Sequence, residues 1–175
     1  MQENVDIRQS LPLDKQAMTR HYESAFPDED LLPLVLQLLS QERGVLSLVA
    51  LIDSAVAGHV VFTDCGTGGA VSNVALLGPL AVSADRQRMG IGGTLVRAGL
   101  EHLEKEGIGF VCVLGDPAYY SRFGFTPEPD VLPPYPLPNE WLGAWQSLAL
   151  NSKEALPNGV LSVPPPWQDR RLWAP

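Results

Sequence analysis

"DRQRMGIGGTL", Asp85 to Leu95, sets three glycines and two arginines between an apolar run and a segment with helical periodicity. Glycine weakens the interior of a helix or a strand because it loses the most backbone entropy on folding. Its density here indicates a turn whose backbone must approach something closely. A strand that enters a helix through such a turn directs backbone N–H groups and the positive helix end at one place, which is typical of a phosphate site.

The segments on both sides of this stretch predict one strand–helix–strand crossover. The run "AVSNVALLGPLAV" (70–82) is a long strand that Gly78-Pro79 interrupts. Proline cannot donate to a ladder, so we expect the strand to bulge or to separate from a neighbour there. Apolar positions recur at helical spacing over 90–106. "GFVCVLG" (109–115) is continuously apolar, which predicts a strand buried on both faces and paired in parallel.

The first third of the chain predicts an edge strand, two helices and a hairpin. Residues 3–9 alternate weakly and predict a first edge strand, and 12–26 predict a helix that begins with proline. In 27–41, acids precede leucines at helical spacing, and negative residues suit the positive end of a helix. These two helices could also wall a substrate cleft. Two apolar runs, 44–52 and 55–63, are separated by "DS" and predict an antiparallel hairpin.

Glycines mark the ends of the remaining predicted elements. "CGTGG" (65–69) predicts a flexible loop, and Gly107 lies where a helix cap favours positive φ. "DPAYYSRFGF" (116–125) predicts a short helix that begins with proline, a cap at Gly124 and a return strand.

After residue 125 the composition changes. Eleven of the 16 prolines and all four tryptophans lie there. Segments 145–150 and 159–163 are expected to pair as a last hairpin, and 164–175 resembles a strapping tail. The whole chain predicts a mixed α/β fold: several antiparallel strands, one parallel crossover, and helices packed on the sheet faces. We expect a single domain over 1–175 with its core in about 3–126 and an extension over 127–175.

Composition excludes several classes of protein. The chain has 175 residues, 45% of them hydrophobic, and a net charge of −8, which argues against general nucleic-acid binding. No apolar run is long enough to span a bilayer, and the N-terminus lacks the pattern of a signal peptide, so a cytoplasmic location is expected. Cys65 and Cys112 lack metal-ligand spacing and are interpreted as buried small hydrophobes in a reducing compartment.

Two better-known phosphate loops do not fit the glycine stretch. A Walker loop requires a lysine, which 90–94 lacks, and the dinucleotide fingerprint requires a glycine where Leu95 stands. Instead, Gln87-x-x-Gly90-x-Gly92 after "LGPLAVSAD" resembles the cofactor motif of the GNAT superfamily of N-acetyltransferases. "YSRFGF", from Tyr120, resembles the family's tyrosine, three residues, then Gly-Phe. The resemblance is strongest over 74–126 and points to the YhbS-like branch of that superfamily.

This resemblance implies a fold, a co-substrate and a set of site residues. The fold would be the GNAT-type acyltransferase fold, and the co-substrate would be acetyl-CoA, with no metal. The diphosphate would lie on backbone amides of 88–94, with Arg88 and Arg86 as counter-charges, and the pantetheine arm along the strand. The implied cofactor-binding residues are Leu80, Ala81, Val82, Gln87, Arg88, Met89, Gly90, Ile91, Gly92, Gly93 and Thr94. Tyr120 matches the family's general acid, with its neighbour Tyr119 as second choice.

The general base is left open, because "VALLGPLAV" contains no carboxylate where many relatives carry a glutamate. Candidates by residue type alone are His21, Glu23, His59, Asp64 and Asp116. A histidine in an apolar strand is more often a satisfied core group, which is the interpretation of His59. Asp116 before a proline is better read as a helix N-cap.

The predicted activity is direct transfer of an acetyl group to a primary amine in a ternary complex. Three alternatives stay open: a non-catalytic CoA-binding or regulatory module, a transferase for another acyl-CoA or an oxygen acceptor, and a phosphate-ligand protein unrelated to CoA. The partners would be acetyl-CoA and an amine that the sequence does not identify. The oligomeric state is open, with a homodimer as one option.

Overall fold

A computed structural model describes residues 4–68, 70–151 and 155–174, with the backbone alone for 70–72. Glu3 of the predicted edge strand, Gly69 of the predicted loop and Pro175 of the tail lie outside the described residues. The chain divides into two compact units. The first runs to Phe62 and resumes over Gly78–Glu101, and the second holds Thr63–Leu77 and everything from His102 onwards.

The described strands form a nine-stranded mixed sheet, which confirms the predicted α/β class. Along its main path the strand order is β1-β2-β3-β4-β5-β8-β6; β9 pairs with β3 and β7. The bounds are β1 Val5–Gln9, β2 Val45–Ile52, β3 Ala55–Thr67, β4 Ala70–Val82, β5 Phe110–Leu114, β6 Thr126–Pro127, β7 Val131–Leu132, β8 Trp145–Ala149 and β9 Gly159–Ser162. Pairing is mostly antiparallel, but β4 and β5 run parallel, as do β7 and β9.

The edge strand and the hairpin lie where the sequence predicts them. Strand β1 is the first in the sheet order and pairs antiparallel with β2 over Val5–Gln9. Strands β2 and β3 are neighbours and are joined at Asp53 and Ser54, both left-handed with φ of 50° and 67°. Two positive φ values are what a type I′ hairpin turn requires. Strand β3 continues to Thr67, so the predicted loop over 65–69 begins too early.

Two helices, α1 (Lys15–Ala25) and α2 (Leu32–Leu39), occupy the predicted helical segments. The prediction that the acids of 27–41 begin the second helix is wrong, because α2 starts at Leu32 with Pro33 in its first turn. Proline fits there because backbone N–H groups in the first turn have no acceptor within the helix, so the N–H that proline lacks costs no hydrogen bond. The acids therefore lie in the connection between α1 and α2.

The crossover is confirmed. Helix α3 spans Ile91–Lys105, and Gly107 beyond it has a φ of 85°, as its cap position predicts. The parallel ladder pairs Val74–Leu77 with Phe110–Val113 and ends directly before Gly78, where the sequence predicts an interruption.

After β5, the chain forms α4 (Pro117–Tyr120), and Gly124 caps the following turn with a φ of 95°. The predicted last hairpin is wrong. Strand β8 pairs with β5 and β6, whereas β9 pairs with the end of β3 and with β7. Strand β5 is buried on both faces and needs a partner on each edge, and β8 supplies the second one. In the tail, Trp173 is buried, and its indole N–H donates to the carbonyl of Trp167.

Candidate functional site

The glycine turn lies between β4 and α3, in the first unit. The backbone of Ser83 donates to the carbonyl of Ala57, which fixes the start of the turn on β3. Arg88 and Gly90 both adopt left-handed conformations, with φ of 65° and 82°. For arginine this is an uncommon conformation that costs on the order of 1 kcal/mol, and such outliers concentrate at functional sites.

Helix α3 begins directly after these two residues, so its positive end adjoins the turn. By α-helical geometry the first amides, those of Ile91, Gly92 and Gly93, have no acceptor within the helix. The amide of Thr94 does have one, because it donates to the carbonyl of Gly90 at 3.0 Å. The backbone N–H donors available to an anion therefore lie before Thr94. The hydroxyl of Thr94 donates to the same carbonyl of Gly90.

The end of β4 is connected to this turn. The side-chain amide of Gln87 donates to the carbonyl of Val82 at 3.3 Å. Ala81 is buried, and Leu80 and Val82 are half-buried. Beside this segment, Gly58 of β3 leaves room for close packing, since a Cβ there would stand 3.3 Å from the carbonyl of Ala81 and 3.0 Å from Leu95. The predicted cofactor residues of 80–82 and 87–94 thus lie together in the first unit.

Tyr120 lies in the second unit, at the end of α4. Asp116 caps this short helix by accepting the amide of Ala118 at 2.9 Å, which confirms its predicted N-cap position. The Tyr120 ring is buried and lies directly over Gly115, where a Cβ would come within 2.4 Å of the ring. Burial raises the pKa of Tyr120, and the adjacent Tyr119 raises it further. The phenol therefore keeps its proton at neutral pH.

Tyr119, the second choice for the acid, has a different environment. It is half-buried, its ring meets that of Tyr120 edge to face at 5.0 Å, and the Arg122 guanidinium lies 4.7 Å from its centroid. A cation over a ring face is attractive and holds the ring in place.

A cavity of about 400 Å³ opens at α1 and the connection to α2, in the first unit. Its lining combines aromatic rings with four carboxylates: Tyr22, Glu23, Phe26, Asp28, Glu29 and Asp30. None of the described lining residues is basic. Tyr22 and Ala81 belong to one buried cluster with Val35, so one lining residue of the cavity shares a cluster with the β4 segment just described. The sequence did not single out this cavity, although "FPDED" before Pro33 is a signal that the acids precede the helix.

The base candidates separate into structural and accessible groups. His59 is fully buried, and both ring nitrogens are hydrogen-bonded, which confirms it as a satisfied core histidine. Burial lowers its pKa to about 3. The imidazole of His21 bonds the carbonyl of Val56 through Nε2 at 2.6 Å. Glu23 lines the acidic cavity, whereas Asp64 lies in the second unit and burial raises its pKa.

The two cysteines are free and buried, as expected of small core residues. Burial raises the pKa of Cys65 to about 12 and raises the pKa of Cys112 as well. A thiol that stays protonated is not a nucleophile. In the described part of the chain, no group of three or more His, Cys, Asp or Glu side chains is arranged to hold a metal ion. No helix among the described residues is long and apolar enough to cross a membrane.

Comparison with known proteins identifies the class. The model of the Acetyltransferase (GNAT) family matches residues 14–125, which include the glycine turn and Tyr120. The chain belongs to this family, and it is an acyltransferase by that membership.

Two relatives of the chain are also N-acetyltransferases by name. YjhQ of Escherichia coli K12, an uncharacterized N-acetyltransferase, is 39% identical over 127 residues, 69% of this chain and 70% of YjhQ. YhbS of the same strain, also an uncharacterized N-acetyltransferase, is 34% identical over 120 residues, 68% of this chain and 72% of YhbS.

Two solved structures share the fold. The crystal structure of E. coli YhbS in complex with CoA has a TM-score of 0.85 at 27% identity, covering 95% of this chain and 93% of that one. A GNAT family acetyltransferase from Brucella melitensis, in complex with acetyl-CoA, has a TM-score of 0.77 at 30% identity, covering 95% and 99%.

Proposed function

We propose that this chain binds acetyl-CoA and transfers its acetyl group directly to a primary amine in a ternary complex. The observation that carries the proposal is the glycine turn, where left-handed Arg88 and Gly90 lead into the positive end of α3. Oriented amides and a helix N-terminus favour a diphosphate. The CoA and acetyl-CoA complexes of the two related structures support the same ligand.

In this proposal the cofactor lies along one continuous segment. Amides of 88–93 receive the diphosphate, with Arg88 as counter-charge, and the turn needs Gly90 because its positive φ suits glycine. The pantetheine arm bonds main-chain groups of Leu80–Val82, and one of their N–H groups polarises the thioester carbonyl. The bond from Gln87 to Val82 supports this arrangement by tying the turn to the strand.

Tyr120 is proposed as the general acid. Attack of a neutral amine on the thioester forms the C–N bond, and collapse of the tetrahedral intermediate breaks the C–S bond and releases a thiolate. The Tyr120 phenol is protonated at neutral pH and can give its proton to that sulfur as the C–S bond breaks. No side chain is assigned as base: the amine arrives neutral, and the proton that its nitrogen loses on forming the amide passes to water.

The acceptor is proposed to enter the acidic cavity. Its four carboxylates favour a cationic amine by electrostatic attraction, and its aromatic rings suit an acceptor with an apolar portion. The buried cluster that Tyr22 shares with Ala81 and Val35 supports this choice, because it connects the cavity lining with the proposed thioester segment.

The proposed function is tested by measuring turnover of acetyl-CoA with candidate amines. Purified protein is mixed with acetyl-CoA and, separately, with putrescine, spermidine, tyramine and glucosamine, and released CoA is followed with a thiol-reactive dye. We expect CoA release with at least one cationic amine, and a mass increase of one acetyl group on that amine. Tight binding of acetyl-CoA without turnover of any amine would favour the non-catalytic CoA-binding module, and preference for a longer acyl chain would favour another acyl-CoA.

A further inference from the structure

Four polar side chains form a continuous hydrogen-bonded chain through the interior of the first unit. The hydroxyl of Ser10, just after β1, bonds that of Ser47 on β2 at 2.6 Å. Ser47 bonds Nε2 of His59 on β3 at 2.6 Å, and Nδ1 of His59 bonds the hydroxyl of Tyr22 on α1 at 2.7 Å. We call these residues the Ser10–Tyr22 chain. It links β2, β3 and the residue that follows β1 to helix α1.

The chemistry of the chain fixes where Tyr22 stands. Burial lowers the pKa of His59 to about 3, so its ring is neutral and has one donor and one acceptor nitrogen. Each neighbouring hydroxyl can fill either role, so both nitrogens are satisfied. His21 and Asp14 are the charged or titratable groups whose fields reach the ring, the first lowering its pKa and the second raising it. The hydroxyl of Tyr22 is thus held by His59, and His59 is itself held by Ser47.

The Tyr22 ring makes different contacts from the Tyr22 hydroxyl. It lines the acidic cavity and stacks on Phe26 with a centroid distance of 6.1 Å and an interplanar angle of 18°. It also shares a buried cluster with Ala81 of β4. Tyr22 therefore belongs both to the lining of the proposed acceptor cavity and to the buried cluster that includes the proposed thioester segment.

We propose that His59 and Ser47 are positioning residues for the acetyl acceptor, and that they act through the Tyr22 ring. The inference rests on the proposed function, since it takes the acidic cavity as the acceptor site. Loss of the bond at the ring tip frees the ring to shift, and a small displacement of a bound reactant costs a large part of the gain from orientation. The predicted diphosphate turn shares no residue with the Ser10–Tyr22 chain, and the proposed pantetheine contacts at Leu80–Val82 are to main-chain groups, so we expect only a small effect on affinity for the cofactor.

The competing interpretation is that the chain only stabilises the fold. Removing one partner of a buried hydrogen bond is costly, whereas removing both can be nearly neutral. The variants Tyr22→Phe, His59→Leu and the double variant Tyr22→Phe/His59→Leu separate the two interpretations. His59→Gln is the conservative substitution, because an amide offers both a donor and an acceptor, and Tyr135→Phe is the control at a half-buried tyrosine outside the site.

The experiment measures kcat and KM for the amine that wild type acetylates fastest among putrescine, spermidine, tyramine and glucosamine, together with the Kd for acetyl-CoA and the urea midpoint of each variant. We expect Tyr22→Phe and His59→Leu to lower kcat/KM for the amine at least tenfold with less than a twofold change in Kd. The double variant should recover the urea midpoint but not kcat/KM, and His59→Gln should keep more activity than His59→Leu.

Two outcomes would overturn the inference alone: single variants that keep the wild-type kcat/KM, or a double variant whose kcat/KM recovers together with its stability. If wild type acetylated none of the four amines, the proposed function would fail, and this inference would fail with it.

Discussion

Tyr120 is a buried phenol with a raised pKa, and replacing it by phenylalanine tests its proposed role as the general acid. Tyr120→Phe removes the proton but keeps the ring that packs over Gly115. We expect kcat to fall roughly 100-fold, the lower end of what a positioned general acid contributes. The Kd for acetyl-CoA should stay within twofold. Steady-state kinetics and isothermal titration measure the two quantities.

Two further tyrosine variants decide the assignment. Tyr135→Phe, outside the site, should keep wild-type kcat. Tyr119→Phe tests the second choice for the acid: a large loss of kcat there, with Tyr120→Phe active, would transfer the role to Tyr119.

His59 makes the stability of the fold depend on pH. Its pKa is about 3 in the folded state and about 6.5 in the unfolded chain, so the unfolded state binds more protons between those values. Stability therefore falls as pH drops below about 6.5, and this contribution levels off near 3. The slope for one group is about 1.4 kcal/mol per pH unit, or about 2 kcal/mol between pH 6.5 and 5.

The measurement is the urea unfolding free energy of wild type and His59→Gln at pH 7.5, 6.5 and 5. The variant starts lower but should lose less stability on acidification, because it lacks the titrating ring. Equal losses in the two proteins would show that His59 does not carry this dependence.

Helix α3 depends on a close approach at Gly99. A Cβ at this position would come within 2.0 Å of the buried Phe62 ring, so Gly99→Ala must displace that ring or the helix. Overpacking of this kind costs about 1–3 kcal/mol, which chemical denaturation measures. Gly143→Ala is the matched control, because its Cβ would meet nothing within 4 Å, and its effect should stay within about 0.5 kcal/mol. A stable Gly99→Ala protein would mean that α3 packs less closely on Phe62.

Gly115 plays the corresponding part for α4. Gly115→Ala would place a Cβ 2.4 Å from the Tyr120 ring and force the ring aside. If Tyr120 is the acid, kcat should fall at least tenfold while the phenol itself is retained. Unchanged kcat in a folded Gly115→Ala protein would argue that the ring position does not matter for the reaction.

How far the sequence predicts an element depends on whether its signal is local. Helix α3 was predictable because Ile91, Leu95 and Leu103 repeat at helical spacing and are buried. The caps at Gly107 and Gly124 were predictable because positive φ favours one residue type. Strands β8 and β9 were found but wrongly paired, since strands of five and four residues carry no signal for a distant partner. The acids before Leu32 were misread because capping and cavity lining both favour a carboxylate there.

Across the molecule, composition and motifs predicted the class of protein, whereas the cavity depends on how the elements pack. The family was predictable because two motifs stand at the right separation, and the family model matches both. The cavity was not, because Tyr22 and Phe26 come together with Ala81 only once α1 packs on the sheet. The single-domain organisation over 1–175 and the residue roles stay predictions.

The net charge of −8 and the acidic cavity together predict a salt dependence. For a cationic acceptor such as spermidine, KM should rise several-fold between 50 and 500 mM NaCl, because salt screens attraction to exposed carboxylates. An uncharged hydrophobic amine is the comparison in the same assay. A KM for spermidine that ignores salt would argue against the cavity as its binding site.

The proposed function depends on backbone amides at the glycine turn holding the diphosphate of CoA. Gly90 and Gly107 provide a matched pair, since both have positive φ, 82° and 85°, and a Cβ at either would meet nothing within 4 Å. Alanine therefore strains both backbones alike, but only position 90 lies at the proposed phosphate site. The measurement is the Kd for CoA of Gly90→Ala and Gly107→Ala by isothermal titration. We expect at least a tenfold loss of affinity for Gly90→Ala and wild-type affinity for Gly107→Ala; equal affinities in the two variants would contradict the account.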